Sequence, residues 1–283
     1  MAKSELKDVT IADLQWVYRE LVPDTPNHKP PVVMLHGLVS QSYSWREVMP
    51  PLADKGFRCI APDWIGHGSS SKPDKREFAY DPDTFAKALS AYLEALELDR
   101  ISLVVQGFLG VTGLIYATQN PDKIEKLIIL NSPLPPDAKM PLKIGMMGWP
   151  LLGQIMTQDP LLVDRTLEGG GPYEVALDDL DVYRRPFLKS SDVGRSLMWT
   201  IQAMNLPQLI EQIAQGFTNW SRPTLVAWGT SDPWLSADTA QAFAKGLTDG
   251  EYLELAQVGH YAQEDWADKV SEAIITFLRK KEL

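Results

Sequence analysis

The 283-residue sequence has a single cysteine, Cys59, and only four histidines. One cysteine excludes a disulfide framework and a thiolate-rich metal site, and we expect neither a metal ion nor another cofactor. Basic residues are also few, since 27 lysines and arginines stand against 37 aspartates and glutamates, giving a formal net charge of −10. Because so acidic a surface repels phosphate backbones, nucleic acid is not an expected partner.

Long uninterrupted apolar runs are missing as well. Residues Met1–Asp8 lack the apolar segment of a signal peptide, so we expect a cytoplasmic protein. The longest uncharged stretch lies between Arg100 and Asp122, but Gln106 and several glycines interrupt it. This pattern favours a strand, a turn and a buried helix over a membrane span. With 45% hydrophobic and 23% charged residues, the composition is that of a globular protein with a sizeable core.

Short apolar runs recur along the chain and end in turn-forming residues. They are Val32–Leu35, Phe57–Ile60, Ile101–Val105, Leu127–Leu130 and Thr224–Trp228, followed by the half-exposed run Tyr252–Leu255. Near-continuous apolar runs of this length are typical of strands in a parallel sheet that is covered on both faces.

Amphipathic helices are predicted between these strands. Asp81 is placed to cap a helix that begins at Pro82, and apolar residues from Phe85 onward follow helical spacing. A similar apolar face runs from Trp266 to Leu278 near the C-terminus. Alternating strands and helices predict a doubly wound, mostly parallel α/β sheet with ligands at the carboxyl ends of the strands.

Residues 132–221 break this alternation, because they show helical stretches and no convincing strand. We predict that they form a helical cap inserted into a core domain of residues 1–131 and 222–283. The first part of the cap is rich in methionine and includes Met146, Met147 and Trp149. These side chains either pack the cap onto the core or, together with Trp234, line an adaptable apolar pocket.

Four short segments that follow predicted strands carry the strongest functional signal. They are Leu35-His36-Gly37-Leu38, Pro62 to Ser69, Trp228 to Trp234, and Val258-Gly259-His260. Their order and spacing resemble the α/β-hydrolase family, in the branch that contains haloalkane dehalogenases, epoxide hydrolases and related esterases. The resemblance covers nearly the whole chain and implies the α/β-hydrolase fold, with nucleophile, acid and histidine in that chain order.

The resemblance also implies roles for individual residues. Asp232 would be the acid that orients His260, and His260 would be the base. The backbone N–H groups of Leu38 and Phe108 would form the oxyanion hole. The alternative is that Asp232 is an ordinary turn residue and His260 a capping or core histidine. The remaining histidines are expected to be structural: His28, His36 and His67.

The predicted elbow, Val105-Gln106-Gly107-Phe108, departs from the family pattern. Gly107 stands where the family has serine, aspartate or cysteine, and glycine has no side chain that can attack a substrate. Glycine does relieve the backbone strain of an elbow. Phe108 and Leu38 also lack the side-chain N–H donors that hold halide in haloalkane dehalogenases, and epoxide hydrolases need an aspartate nucleophile. Both activities are therefore disfavoured.

Three other side chains could in principle replace the missing nucleophile: Cys59, Thr112 and Ser132. None is expected within hydrogen-bonding reach of the base, since Cys59 lies inside a strand, Thr112 lies one turn into a helix and Ser132 has the wrong register.

Three functional hypotheses remain open. In the first, Asp232 and His260 activate water or an acidic group of a small apolar or amphiphilic molecule, without a covalent intermediate. General-base hydrolysis, a lyase step and cofactor-free oxygenation all fit this pair. In the second, the chain is a ligand-binding or sensor protein that has lost turnover. In the third, Gly107 was introduced into an ordinary hydrolase to trap a substrate. The complete acid–base pair favours an enzyme, and the sequence does not indicate an oligomeric state.

Overall fold

One eight-stranded sheet runs through the protein, in the strand order β1-β2-β4-β3-β5-β6-β7-β8. The computed structural model describes residues 4–136, 138–159 and 161–280. The strands are β1 Glu5–Ile11, β2 Leu14–Leu21, β3 Val32–Leu35, β4 Cys59–Pro62, β5 Ile101–Gln106, β6 Ile124–Leu130, β7 Thr224–Gly229 and β8 Gly250–Leu255. Strands β3 to β8 pair in parallel, while β1 and β2 pair antiparallel. The predicted doubly wound, mostly parallel sheet is confirmed.

Helices cover both faces of this sheet. In the core they are α1 Met49–Ala53, α2 Pro82–Ala95, α3 Gly107–Gln119, α10 Ala237–Gly246, α11 Ala262–Asp265 and α12 Ala267–Arg279. Successive side chains of β3 point to opposite faces of the sheet. Val33 and Leu35 join the apolar cluster that includes residues of α2 and α3. Val32 and Met34 join the cluster that includes residues of α1 and α12. The central strands are therefore buried on both sides, which explains their continuous apolar runs.

The hairpin of β1 and β2 was not predicted. Its two-residue turn, Ala12-Asp13, has positive φ at both positions, 46° and 68°, but lacks the glycine that usually marks such a turn. Most residues of β1 are exposed or half-buried because it is the edge strand. The sequence of the hairpin therefore has neither the glycine that marks such a turn nor a continuous apolar run in β1.

Helices fill the described parts of residues 132–221, which contain no strand. They are α4 Leu142–Met146, α5 Leu152–Met156, α6 Leu162–Leu167, α7 Leu177–Lys189, α8 Ser191–Ala203 and α9 Leu206–Gly216, with a 3₁₀ turn at Glu168–Gly170. These helices lie between β6 and β7, in the segment for which a cap is predicted, and are called the cap below. Ser196 of α8 is hydrogen-bonded to the Tyr80 hydroxyl of the core at 2.9 Å. Across the described chain, no helix combines the length and apolarity needed to cross a bilayer.

The prediction that Asp81 caps the N-terminus of α2 can be tested directly. The Asp81 carboxylate accepts a hydrogen bond from Thr84 N–H at 2.8 Å. We expect Asp81→Ala to lower the free energy of unfolding by about 1 kcal/mol, because a helix-terminal N–H loses its acceptor. Asp81→Asn keeps an acceptor oxygen and should change stability by less than half of that. Urea denaturation measures both, and an equal loss in the two variants would contradict the capping role.

Candidate active site

The predicted elbow is the sharp turn between β5 and α3. Gly107 begins α3 with a φ of +69°, a backbone conformation that glycine adopts without strain. A Cβ atom at this position would lie 3.1 Å from Gly37 Cα and 3.2 Å from His260 Nε2. The structure thus brings three loops together at Gly107: the elbow itself, the loop after β3 and the loop after β8.

Asp232 and His260 form the expected pair. His260 Nδ1 lies 2.9 Å from Asp232 Oδ2, and each side chain is 1% exposed. The other carboxylate oxygen accepts hydrogen bonds from the backbone N–H groups of Trp234 and Leu235, at 2.8 and 3.2 Å. A carboxylate held in this way fixes Nδ1 as the protonated ring nitrogen, which leaves the lone pair of Nε2 directed at Gly107.

Asn131 supports the acid, a role that the sequence analysis missed. Its Nδ2 donates to Asp232 Oδ2 at 2.9 Å and to the Gly229 carbonyl at 3.1 Å, while its Oδ1 accepts from Gly229 N–H at 2.9 Å. Asn131 follows β6, the neighbour of β7 in the sheet. Asn131 and Asp232 both come shortly after strands that are neighbours in a parallel sheet, so they lie at the same edge of the sheet. This pattern could have indicated the contact.

A second set of hydrogen bonds joins the three loops. Gln106 is fully buried; its Oε1 accepts from Gly37 N–H at 3.1 Å and its Nε2 donates to the His260 carbonyl at 2.8 Å. The Tyr261 hydroxyl donates to the Leu38 carbonyl at 3.0 Å. These bonds fix the backbone around Gly107 from both sides. No sequence pattern indicates these bonds, because they pair side chains with the backbone of distant loops.

The expected oxyanion donors lie in these same loops. Leu38 follows β3 and Gly37, and Phe108 is the second residue of α3; both are buried. The first backbone N–H groups of a helix have no acceptor within the helix, and the helix dipole makes that end partially positive. Both features favour negative charge beside Phe108.

Three aromatic rings enclose the His260 imidazole. Phe108 stacks on it with ring centroids 5.3 Å apart, Trp234 lies at 4.7 Å, and Tyr261 packs edge-on at 5.0 Å. The rings hold the imidazole in one orientation and exclude water from it. Charges near Nε2 consequently interact more strongly than they would in bulk water.

The cap contributes directly to the histidine loop. The His260 N–H donates to the carbonyl of Gly170, at the end of the 3₁₀ turn, at 2.6 Å. On the core side, Asp265 accepts a hydrogen bond from Gly259 N–H at 2.6 Å. Burial raises the pKa of the Asp265 carboxyl to about 6. The loop that carries His260 is therefore held by one contact from the cap and one from α11.

The remaining histidines have structural surroundings, as expected. His36 Nδ1 donates to the Gly37 carbonyl at 2.8 Å, and Nε2 accepts from Trp64 N–H at 3.1 Å. Burial lowers the pKa of both His36 and His67. His28 lies in a loop with a φ of +59°. None of the three is hydrogen-bonded to His260 in the described structure.

None of the three residues named as possible nucleophiles is hydrogen-bonded to His260 in the described structure. Cys59 lies in β4, and burial raises the pKa of its thiol. Thr112 is buried within α3, and Ser132 Oγ donates to the Leu130 carbonyl at 3.4 Å. Among the described residues, no cluster of three histidine, cysteine, aspartate or glutamate side chains is placed to hold a metal ion.

The four predicted pocket residues lie in different surroundings. Trp234 contacts His260 and lines a cavity of about 210 Å³ together with Ser132 and Trp228. Met147 is buried, Met146 is half-buried and Trp149 is 52% exposed. None of these three cap residues lines that cavity. Trp149 lies at the surface, so its expected place inside a pocket does not match this structure, and a pocket role for the two methionines stays a prediction.

The hydrogen bonds of Gln106 generate a stability prediction. Gln106→Met keeps the size of the side chain but leaves the Gly37 N–H and the His260 carbonyl unpaired in a buried site. We expect the free energy of unfolding to fall by about 2–6 kcal/mol, or 1–3 kcal/mol for each unpaired group. Gln263→Met is the matched control, because buried Gln263 makes one long contact to Gln106, at 3.4 Å. Denaturant unfolding should show a clearly smaller loss for the control; equal losses would contradict the bridging role.

The pKa of Asp265 generates a pH prediction. Its folded-state pKa of about 6 lies above the ordinary value of 3.8, so the folded protein binds this proton more tightly than the unfolded chain. The resulting stabilisation is full below pH 4 and is lost as the pH rises through about 6. Asp265→Asn should therefore gain stability relative to the parent between pH 4 and pH 7. Asp268→Asn, an exposed neighbour, should not, and parallel pH curves for all three proteins would contradict the prediction.

Comparisons with known proteins identify the family of the fold. A family model described as alpha/beta hydrolase fold matches residues 30–266. Cis-3-alkyl-4-alkyloxetan-2-one decarboxylase of Shewanella oneidensis is 28% identical, over 89% of this chain and 83% of its own length. Haloalkane dehalogenase of Mesorhizobium japonicum is 27% identical, over 88% and 84%. The crystal structure of haloalkane dehalogenase DbeA from Bradyrhizobium elkani superposes with a TM-score of 0.84 at 25% identity, covering 97% of both chains. The chain belongs to the alpha/beta hydrolase fold family.

Proposed function

We propose that this chain is an enzyme that acts on a small lipophilic substrate without a covalent intermediate. His260 is the general base, and Asp232 orients it. The observation that carries the proposal is the 3.2 Å between His260 Nε2 and the position of a Cβ atom at residue 107. The base is thus directed at the place where a nucleophilic side chain would stand, although glycine supplies none.

In the proposed reaction, a water molecule takes the place of that side chain. Nε2 removes a proton from the water as its oxygen attacks a substrate carbonyl carbon, and Asp232 stabilises the imidazolium that forms. The N–H groups of Leu38 and Phe108 donate to the carbonyl oxygen as it gains negative charge. The imidazolium then returns the proton to the leaving group, so the protein ends the cycle unchanged.

The surroundings of the base support an apolar substrate. Phe108, Trp228 and Trp234 contribute aromatic surface next to the pair. The names of two relatives specify alkyl-substituted oxetanones and haloalkanes, and both names describe compounds that carry alkyl groups. A carbonyl compound with short alkyl substituents fits the oxyanion donors as well. Displacement of halide by a protein carboxylate does not fit, since Gly107 carries no carboxylate.

Restoring a side chain at the elbow tests whether the partners are organised. We expect Gly107→Ser to gain hydrolysis of p-nitrophenyl acetate well above the parent, because its hydroxyl would lie beside His260 Nε2. The variant should lose about 1 kcal/mol of stability, since a serine at positive φ is strained. Gly246→Ser is the matched control, because a Cβ there meets no atom within 4 Å. A gain that survives His260→Ala in the Gly107→Ser background would contradict the role of the base.

The parent itself is tested with His260→Ala on a panel of short alkyl esters and β-lactones. Turnover of any substrate found should fall by about 10²–10⁴-fold, the usual contribution of a general base. Asn131→Ala should reduce the rate less, because it supports Asp232 without contacting the base. Unchanged turnover without His260 would overturn the mechanism. Saturable binding with no product would instead establish the ligand-binding alternative.

A further inference from the structure

A second cavity, of about 560 Å³, lies between the cap and the core. The core side comes from β2 and the loops after β3 and β4, and the cap side from α7 and α8. Neither Asp232 nor His260 lines it. Six charged side chains do: Arg19, Lys72, Arg185 and Lys189 against Asp63 and Asp192. Cations outnumber anions here in a chain whose formal net charge is −10.

The two carboxylates of this cavity already have partners within the protein. Asp63 accepts hydrogen bonds from the backbone N–H groups of Ser42 and Ser69, at 2.6 and 2.7 Å, one on each oxygen. Asp192 is bonded to the Ser190 hydroxyl at 2.7 Å and paired with Arg195. Their oxygens are therefore already occupied by partners within the protein, although the charge of Asp63 still acts on Lys72.

The cations are less well satisfied. Arg19 Nε is buried without a hydrogen-bond partner among the described residues, while its guanidinium lies 5.0 Å from the centre of the Tyr43 ring. Arg185 and Lys189 stand one turn apart on α7, and no described residue forms an ion pair with either. Lys72 is the exception, because its Nζ donates to the Ser70 carbonyl at 2.5 Å and burial lowers its pKa to about 8. A buried guanidinium N–H without an acceptor is costly, and an anion would supply that acceptor.

We propose that this cavity binds a small anion that carries phosphate or carboxylate groups. The Arg19 guanidinium, held against the Tyr43 ring, offers a planar set of donors that matches the oxygens of either group. Arg185 and Lys189 would contact the same anion from the cap. The ligand thus joins cap and core at a place separate from the Asp232–His260 pair, and the inference does not depend on the proposed reaction.

The test uses pyrophosphate and citrate as probes, titrated into the full chain by isothermal calorimetry at constant ionic strength. We expect saturable binding of at least one probe. Arg19→Gln and Arg185→Gln should weaken it by about 10-fold or more, the effect of losing a hydrogen bond to a charged group. Lys87→Gln is the matched control: it removes one positive charge from an exposed site on α2 that does not line the cavity.

The two probes separate the sources of the anion. Binding of pyrophosphate alone indicates a phosphate ligand, binding of citrate alone a carboxylate ligand, and binding of both a general oxyanion site. Arg185 is exposed on the cap, so its variant remains informative even if Arg19→Gln fails to fold. No saturable binding of either probe would overturn the proposal. Equal weakening by Lys87→Gln would do the same, because it would show a response to overall charge alone.

Discussion

The carboxamide of Gln106 is the group on which the geometry of the candidate site most depends. It lies at the end of β5, is fully buried and satisfies one backbone group in each of two other loops. Parallel strands bring their carboxyl ends to one edge of the sheet, where the loops that follow cannot pair with one another as strands do. Buried backbone groups in such loops need side-chain partners, and Gln106 supplies two of these bonds at once. Because Gln106 directly precedes Gly107, its bond to the His260 carbonyl connects the elbow to the histidine loop.

Close backbone approach restricts the residue at position 37 more than the residue at position 107. A Cβ at Gly37 would lie 2.7 Å from Gln106 Oε1 and 3.1 Å from Gly107 Cα, so a side chain there would displace the hydrogen-bonded amide. At Gly107 the restriction is milder, because the nearest atoms lie 3.1 and 3.2 Å away. Glycine is therefore required at position 37 by packing, whereas at position 107 packing alone allows a small side chain after a slight shift. Packing therefore does not account for the absence of a nucleophilic side chain at position 107.

Much of this arrangement could be predicted from the sequence, and the exceptions share a physical cause. The parallel strands and the capped helix at Asp81 follow from local patterns, and the Asp232–His260 contact follows from the resemblance to the α/β-hydrolase family. Gln106 and Tyr261 bond to backbone groups far away in sequence, and a single chain carries no signal for such pairs. Trp149 shows the other limit: apolar composition predicts burial, but which side of a cap helix faces the core depends on tertiary packing. Its 52% exposure could not be inferred from its apolar neighbours.

The cap contributes residues both to the candidate active site and to the proposed anion site. Gly170, at the end of one cap turn, accepts the His260 N–H, while Arg185 and Lys189 of α7 face the cavity between cap and core. A further link lies between them: Arg46 of the core pairs with Asp179 of α7 and with Glu264 of α11, each at 2.7 Å. If an anion binds between Arg19 and α7 as proposed, we expect it to stabilise the cap position in which Gly170 accepts the His260 N–H. Because such coupling is reciprocal, a substrate that requires this cap position for its reaction would in turn strengthen anion binding.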